Sequence, residues 1–248
     1  GTDAALAMAM GHVILKEFYF DKRSAYFDGY ARRYTDLPLL VALKEKTLPD
    51  GRVALVPDRY VRANDFDSKL GQDNHPDWKT VAFEQDGRVV VPNGSIGFRW
   101  GAQERGDRGR WNLEAKEATE GQEVNLKLSV MEDGAVLHSV ADVAFPYFGG
   151  IESPNFKAND QASDVLVRRV PVSHLDLSGD GLQGRVAVAT VFDLLAANYG
   201  IHRGLEGEGA AIGYDDNVPY TPAWQEQITG VPRDQVIRTA REFADNAD

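Results

Sequence analysis

The sequence predicts a mixed α/β fold, of the α+β kind, in which helices at both ends enclose a strand-rich middle. Three observations support this class: apolar residues at helical spacing near the start, a period of two through the centre, and two capped helical segments at the end. With 248 residues, 43% of them hydrophobic, the chain can bury a sizeable core. We divide it into an N-terminal helical region (1–70), a β-rich insertion with loops (71–210) and a C-terminal helical hairpin (211–248).

Two helical regions are predicted near the N-terminus. The first runs from Asp3 to Phe18, and Thr2 precedes it as the N-cap. The second spans Tyr26 to Lys46 and is interrupted near Pro38, because the residue before a proline disfavours the helical conformation. The apolar stripe of the first helix consists of Leu6, Met10, Val13, Ile14 and Phe18.

Three pairs of strands are predicted in the middle of the chain. The first pair flanks a turn at Gln85-Asp86-Gly87, between two β-branched runs. The second pair, "VNLKLSVM" and "AVLHSVADVAF", flanks Asp133-Gly134. The third pair is "VLVRRVPVSHLDL" and "GRVAVATVFDL".

Two further helices are predicted at the end of the chain. Thr221 and Pro222 form an N-cap and a first-turn proline, and Gly230 ends the short helix that they begin. A longer helix follows Pro232. Its apolar stripe, which predicts docking against the rest of the protein, consists of Val236, Ile237, Ala240, Phe243 and Ala244.

Composition excludes several classes of function. The net charge of −11 argues against nucleic-acid binding, and the most basic stretch, "RWGAQERGDRGR", interleaves its arginines with acids, which favours a solvated loop over an anion site. The chain has no cysteine, so these residues hold no disulfide and no thiolate-bound zinc or iron–sulfur cluster. No apolar stretch reaches the length of about 18 residues that a membrane span needs.

The apparent motifs of the sequence favour structural roles. "GDGLQG" at 179–184 matches a dinucleotide-binding pattern but precedes a strand-like run instead of a helix, which favours a hairpin turn. The five histidines form no metal-binding pair, and His12 is expected to pack or cap. The adjacent acids Asp215 and Asp216 are expected to be solvated loop residues that cap the next helix, with a paired-carboxylate site as the alternative.

Gly1, Thr2 and Asp3 precede and begin the first predicted helix, which gives them two possible roles. Thr2 can act as a simple cap that contributes about 1 kcal/mol. Alternatively, Gly1 permits close backbone approach, and Asp3 can accept hydrogen bonds from the ring N–H and amino group of a guanine. The physical argument favours the cap and leaves the second role open.

Both ends and the middle of the sequence resemble one protein family. The N-terminal "GTDAALAMAMGHVILKEF" and the C-terminal "YTPAWQEQITGVPRDQVIRTAREFADNAD" resemble segments of molybdopterin oxidoreductases of the dimethyl sulfoxide reductase family. Within that family, the middle is similar to the respiratory nitrate reductase alpha subunits. The segments that carry this similarity, in the same order, are "YARRYTDLPLLVALKE", "NHPDWKTVAF", "PNGSIGFRWG", "RWNLE", "FPYFGG", "VFDLLAANYGIHRGL" and "YDDNVPYTPAWQEQITGV".

The resemblance implies a role inside a larger enzyme. The parent subunit is expected to reduce nitrate to nitrite in anaerobic respiration, at a molybdenum held by two molybdopterin guanine dinucleotides. The expected partners are an iron–sulfur beta subunit and a membrane cytochrome b gamma subunit, at the cytoplasmic face of the cell membrane. The terminal helices are expected to belong to a cofactor-binding α/β domain, and Gly1, Thr2 and Asp3 to lie against the guanine nucleotide.

The same resemblance limits what this segment is expected to do alone. In the family, the molybdenum-ligating Asp and the cluster ligands lie upstream, so no catalytic or metal-binding residue is assigned here. We expect an internal region that binds no cofactor and has no activity by itself. Two alternatives are a subunit of a related molybdenum enzyme such as a nitrite oxidoreductase, and a non-catalytic binding or structural module.

Overall fold

The computed structural model describes residues 2–48, 50–72, 75–93, 116–117, 123–147, 165–207 and 209–246. Within these ranges the helices are α1 (Asp3–Ile14), α2 (Ala25–Tyr34), α3 (Val191–Asn198), α4 (Pro222–Thr229) and α5 (Arg233–Asp245). The strands are β1 (Leu40–Thr47), β2 (Val53–Tyr60), β3 (Ala82–Phe83), β4 (Val89–Val90), β5 (Pro92–Asn93), β6 (Lys116–Glu117), β7 (Ser139–Pro146), β8 (Val165–Ser178) and β9 (Gln183–Thr190). The predicted mixed α/β class is confirmed.

Five strands close into a barrel in the order β1-β2-β7-β8-β9. All neighbouring pairs are antiparallel except β2 and β7, which are parallel and meet at Leu55 and Val143. One apolar cluster draws residues from all five strands and from α3, which packs on β8 and β9. The barrel is therefore the rigid body on which the helices are arranged.

The predicted hairpins around residue 86 and between 165 and 190 are confirmed. β3 and β4 pair across the Gln85-Asp86-Gly87 turn, and the long strands β8 and β9 pair in register from Ser173–Val188 to Ser178–Gln183. The run "VFDL" at the end of the predicted strand instead begins α3, because the Thr190 side chain accepts a hydrogen bond from the Asp193 N–H and caps the helix.

The predicted helix over Tyr26–Lys46 is correct only in its first half. α2 ends at Tyr34, and Leu40–Thr47 is the strand β1, which pairs with both β2 and β9. Its residues Lys44, Glu45 and Lys46 favour helix locally, but pairing on two sides outweighs that preference. In the first half of β1, alternate residues enter different apolar clusters, so both faces are covered there, whereas Lys44–Thr47 are exposed.

The predicted strand pair around Asp133-Gly134 is wrong. β7 pairs with β8 instead, and residues 124–131 contribute only an isolated bridge at Leu126 to Glu84. This segment is nevertheless buried, including the ammonium of Lys127, which donates to the Glu132 carbonyl oxygen. Of its alternating polar residues, Asn125 is exposed, whereas Lys127 and Ser129 are buried and hydrogen-bonded. The period of two therefore does not separate an exposed face from a buried one.

GDGLQG forms the β8–β9 hairpin connection, as predicted, with Gly179 and Gly181 in the turn and Gly184 at the start of β9. The turn rests on the 3₁₀ turn Ala63–Asp65, where the Gly179 N–H donates to the Asp65 carbonyl at 2.9 Å and the Leu182 N–H donates to its carboxylate at 2.7 Å. A Cβ at Gly179 would lie 2.1 Å from the Asn64 carbonyl oxygen. Close backbone packing, and no phosphate site, accounts for this glycine.

The N-terminal and C-terminal helices pack together beside the barrel. α1 contacts both α4 and α5. The Thr221 cap and the Gly230 stop of α4 are confirmed: the Trp224 N–H donates to the Thr221 hydroxyl at 3.1 Å, and Gly230 adopts φ +73°. Within the described ranges, no helix is long and apolar enough to cross a membrane.

The faces that these helices bury differ in part from the predicted stripes. α1 buries Ala5, Ala9, His12 and Val13, and its small side chains allow α4 and α5 to approach closely. On α5, Val236 and Ala240 are buried as predicted, whereas Phe243 is exposed. The π-helical segment Leu15–Asp21, which directly follows α1, continues the first helix three residues beyond the predicted end at Phe18.

Candidate functional site

The N-terminus of α1 is the candidate site because it carries two of the three residues that the family resemblance predicts to lie against a guanine nucleotide. Thr2 occupies the N-cap position, and both Thr2 and Asp3 are exposed. The predicted cap by the Thr2 side chain is wrong: its hydroxyl accepts no capping hydrogen bond, whereas its carbonyl accepts from the Ala5 N–H at 3.0 Å and from the Leu6 N–H at 3.4 Å. Gly1 lies outside the described residues.

The side chain of Asp3, at the start of α1, is available to a ligand. Among the residues with described placement, its carboxylate has no hydrogen-bond or ion-pair partner, and the first N–H groups of a helix lack acceptors within that helix. A carboxylate offers two acceptor oxygens to a pair of parallel N–H donors, whereas its negative charge repels phosphate. The exposed end of α1 thus presents an acceptor pair rather than an anion site.

The first turn of α1 is fixed to α4 by an apolar contact. Ala5 is buried in a cluster with Tyr220 and Trp224. The loop before α4 is held in turn by Arg168 of β8, whose guanidinium donates to the Gly209 carbonyl at 2.7 Å and to the Pro219 carbonyl at 2.6 Å. A barrel arginine thus supports the segment against which the candidate site rests.

The middle of α1 is attached to the end of α3. The buried His12 donates from Nδ1 to the Tyr199 carbonyl oxygen at 2.7 Å, which confirms that His12 packs inside the protein. Burial lowers the pKa of His12 to about 4, so the ring is neutral at pH 7. The Tyr199 ring lies against Gly11, where a Cβ would come within 2.4 Å of Cε1.

The end of the first helix is attached to α5 and to the loop before α4. Glu17 accepts hydrogen bonds from Arg241 at 2.8 and 2.6 Å and from the Tyr214 hydroxyl at 2.9 Å. The Arg241 guanidinium holds the pKa of Glu17 below its usual value, against the opposing effect of burial. Contacts at the start, middle and end of this helix therefore all join it to residues 199–241.

A buried polar network that sequence reasoning missed lies beneath α3. The Asp193 carboxylate accepts from the Ser129 hydroxyl at 2.7 Å and from the Val130 N–H at 3.0 Å, and it pairs with Arg203 at 2.8 Å. The network adjoins a cavity of about 380 Å³. Nothing in the spacing of Ser129, Asp193 and Arg203 signals their contact, because it depends on how residues 124–131 thread through the fold.

The remaining predicted features have structural explanations or lie outside the described ranges. Asp216 accepts from the N–H groups of Ile212 and Gly213, and Asp215 pairs with Arg233 at 2.8 Å. Their predicted capping of the next helix is wrong, since Thr221 caps it. The arginine-rich stretch at 99–110 is not described. Within the described residues, no group of three or more His, Asp or Glu side chains could hold a metal ion.

Comparison with known proteins shows what the chain is similar to. It is 51% identical over all its 248 residues to respiratory nitrate reductase 1 alpha chain of Escherichia coli strain K12, and 53% identical over 247 residues to respiratory nitrate reductase 2 alpha chain of the same strain. The chain matches a segment of respiratory nitrate reductase alpha chains. The nitrate reductase alpha chain of Bacillus subtilis strain 168 is 39% identical over 248 residues.

The matches to nitrate reductase alpha chains cover all of this chain but little of each relative. The chain spans 18% of the length of each of these three relatives. No family model matches it. Because the matches to the Escherichia coli alpha chains run the full length of this chain, they confirm the resemblance that the quoted sequence segments indicate.

Proposed function

We propose that this chain is part of the catalytic alpha subunit of a nitrate reductase and contributes to the guanine-dinucleotide site of its molybdenum cofactor. The observation that carries the proposal is the end-to-end identity of 51–53% with two respiratory nitrate reductase alpha chains. The names of these relatives do not favour nitrite oxidation or a non-catalytic module. In the proposed role, Gly1, Thr2 and Asp3 form one edge of the nucleotide site.

The chemistry of α1 supports that edge. The exposed Asp3 carboxylate would accept hydrogen bonds from the ring N–H and amino group of guanine, and Thr2 would lie beside it at the N-cap. A base without that pair of donors would be bound less well, because binding would then remove water from the carboxylate without a compensating hydrogen bond. Asp3 is thus proposed to select guanine as well as to hold it.

The reaction of the proposed parent enzyme converts nitrate, two protons and two electrons into nitrite and water. When bound, the molybdenum cofactor, in the proposed form a bis-molybdopterin guanine dinucleotide, would supply the oxygen-atom transfer and accept the electrons. The residues of this chain would bind and orient the nucleotide end of the cofactor. No catalytic residue is proposed within the chain, and the segment alone is proposed to be inactive.

The proposed partners complete the electron path. An iron–sulfur beta subunit would deliver electrons to the alpha subunit, and a membrane cytochrome b gamma subunit would anchor the complex at the cytoplasmic face of the membrane. Support for a multi-subunit setting comes from the names of the relatives, which are called alpha chains or alpha subunits.

A segment exchange tests the proposal. The corresponding segment of respiratory nitrate reductase 1 alpha chain from Escherichia coli is replaced by this chain, and the complex is purified. We expect the chimeric complex to reduce nitrate with reduced methyl viologen as electron donor and to contain guanine nucleotide, which is released by acid and quantified. A chimera carrying Asp3→Ala should contain about tenfold less nucleotide, the loss expected for a charged hydrogen-bond acceptor.

Two outcomes would contradict the proposal. An assembled chimera that contains cofactor but does not reduce nitrate would refute the nitrate reductase assignment. An Asp3→Ala chimera with unchanged nucleotide content would leave the assignment standing and refute the edge at α1. Asp234→Ala, which removes an exposed first-turn acid from α5 instead, is the matched control and should leave nucleotide content unchanged.

A further inference from the structure

Tyr199 occupies a position where three parts of the fold meet. It follows α3, which packs on β8 and β9 of the barrel. Its carbonyl oxygen accepts from His12 at 2.7 Å and from the Tyr220 N–H, just before α4, at 3.4 Å. One backbone carbonyl therefore ties α1 and the start of α4 to the barrel.

The side chain of Tyr199 sets a second, independent constraint on α1. The ring lies against Gly11, and any Cβ at that position would come within 2.4 Å of Cε1 and 2.9 Å of Cζ. Because φ of Gly11 is helical, backbone freedom does not explain the glycine; the close approach of the ring does. Tyr199 thus contacts two neighbouring residues of α1: its carbonyl accepts a hydrogen bond from His12, and its ring packs tightly against Gly11.

Together these contacts restrain sliding and rotation of α1. Sliding would lengthen the buried hydrogen bond of His12, and rotation would drive the side chains next to Gly11 into the Tyr199 ring. His12 lies nine residues beyond Asp3, or about 14 Å along the helix axis. A helix is stiff over that distance, so a displacement at His12 is carried to the exposed N-terminus.

We infer that Gly11 and His12, through Tyr199, are positioning residues that set the axial register of α1 and thereby the place of Thr2 and Asp3 at the nucleotide edge. This inference rests on the proposed function of that edge. It adds a specific requirement: the nucleotide site depends on residues that lie about 14 Å from it and touch no part of the nucleotide.

Variants of the full alpha chain in its assembled complex test this inference. His12→Leu removes the donor to Tyr199, and Gly11→Ala pushes the helix away from the ring. We expect each to lower guanine nucleotide per assembled complex by about tenfold, since a shift of about 1 Å misplaces a directional contact. Hydrogen exchange of residues 3–10 should become faster in both variants.

A conservative variant and a control separate positioning from general stability. The amide N–H of Asn lies close to where the imidazole Nδ1–H lies, so His12→Asn should restore most of the nucleotide content. Val13→Ala opens a void on the same buried face without touching the link to Tyr199. It should lower the melting temperature of the complex and leave its nucleotide content within about twofold of the parent.

The pattern of results distinguishes failure of this inference from failure of the proposed edge. Loss of nucleotide in His12→Leu, Gly11→Ala and Asp3→Ala, with rescue by His12→Asn, would support both. Normal nucleotide in His12→Leu and Gly11→Ala, with loss in Asp3→Ala, would overturn the positioning role alone, as would equal loss in Val13→Ala. Normal nucleotide in Asp3→Ala would refute the edge and the positioning role with it.

Discussion

His12 combines burial with a titratable ring, and that combination makes the stability of the chain depend on pH. Burial lowers the pKa of His12 to about 4 in the folded chain, against 6.5 for an unperturbed histidine. Desolvation is the largest cause, and the nearby cations Lys16 and Arg168 lower the pKa further, whereas the hydrogen bond from Nδ1 to the Tyr199 carbonyl opposes the shift. The edge contact of His12 with Tyr214 adds no compensating charge.

The sign of the effect follows from proton binding. Between pH 6.5 and about 4 the unfolded chain binds a proton at His12 that the folded chain does not, so the free energy of unfolding falls as the pH is lowered through that window. The full loss amounts to about 3 kcal/mol. Glu17 affects stability at a lower pH than His12 does. Its pKa is depressed below 4.5, so its contribution to the free energy of unfolding is lost as the pH falls through that depressed value.

Urea unfolding of the 248-residue chain between pH 6.5 and pH 5 therefore isolates His12. We expect the unfolding free energy to decrease by about 1 to 2 kcal/mol across this range in the parent chain, and the His12→Asn variant to lose clearly less. Equal slopes for the two chains would show that His12 is solvated or that it finds an acid partner on protonation.

At the scale of single elements, the β8–β9 turn shows why a motif must be interpreted in its context. GDGLQG carries the spacing of a dinucleotide loop, yet its first two glycines, Gly179 and Gly181, pack against the buried Asp65. That carboxylate also pairs with Arg59 at 2.6 Å and accepts from the Arg62 N–H at 2.8 Å. The turn is thereby bound to the end of β2 at the side of the barrel.

Gly179→Ala should destabilise the protein by about 2 to 4 kcal/mol, because the new methyl group would meet backbone atoms that cannot rotate away. Gly184→Ala is the matched control in the same hairpin: φ there is +84° and no atom lies within 4 Å of the added Cβ. Backbone strain alone should cost about 1 kcal/mol at Gly184. Comparable melting temperatures for the two variants would contradict the packing explanation.

Sequence patterns predicted the elements whose local preference agrees with their final environment. α4 has its predicted cap and stop, the β8–β9 pair has its turn glycines, and α1 and α5 have apolar residues at helical spacing. β1 was mistaken for helix because its charged residues favour helix and its two partners, β2 and β9, lie far along the chain. Residues 124–131 alternate like a strand, but the polar Lys127 and Ser129 are buried along with their apolar neighbours.

At the scale of the whole molecule, the candidate site could be located from sequence but its support could not. Thr2 and Asp3 are found by the helix that they begin, and the family resemblance gives them a ligand. The contacts that hold this helix involve His12 with Tyr199 and Glu17 with Arg241, pairs separated by 187 and 224 residues. No local pattern encodes contacts over such separations, since they arise only when the barrel brings both ends of the chain together.

Arg168 is the residue that most directly couples the barrel to the helical layer. It lies on β8, is 6% exposed, and donates to two carbonyl oxygens in the loop that leads into α4. Arg168→Met keeps the aliphatic stem but leaves the Gly209 and Pro219 carbonyls without these donors, at a cost of about 2 to 4 kcal/mol. Because Tyr220 follows directly and packs on Ala5, the loss should spread to α1.

Hydrogen exchange read segment by segment tests this coupling. In Arg168→Met we expect faster exchange in residues 209–229 and 3–10, while β8 and β9 keep the protection of the parent, because their ladder does not use the guanidinium. Arg169→Met is the control on the adjacent position, where the arginine pairs with the exposed Asp142 at 3.2 Å, and it should change neither region. Uniformly faster exchange throughout the barrel would instead mean that Arg168 stabilises β8 itself, and the helical layer would then be held to the barrel mainly by Tyr199 and the apolar face of α1.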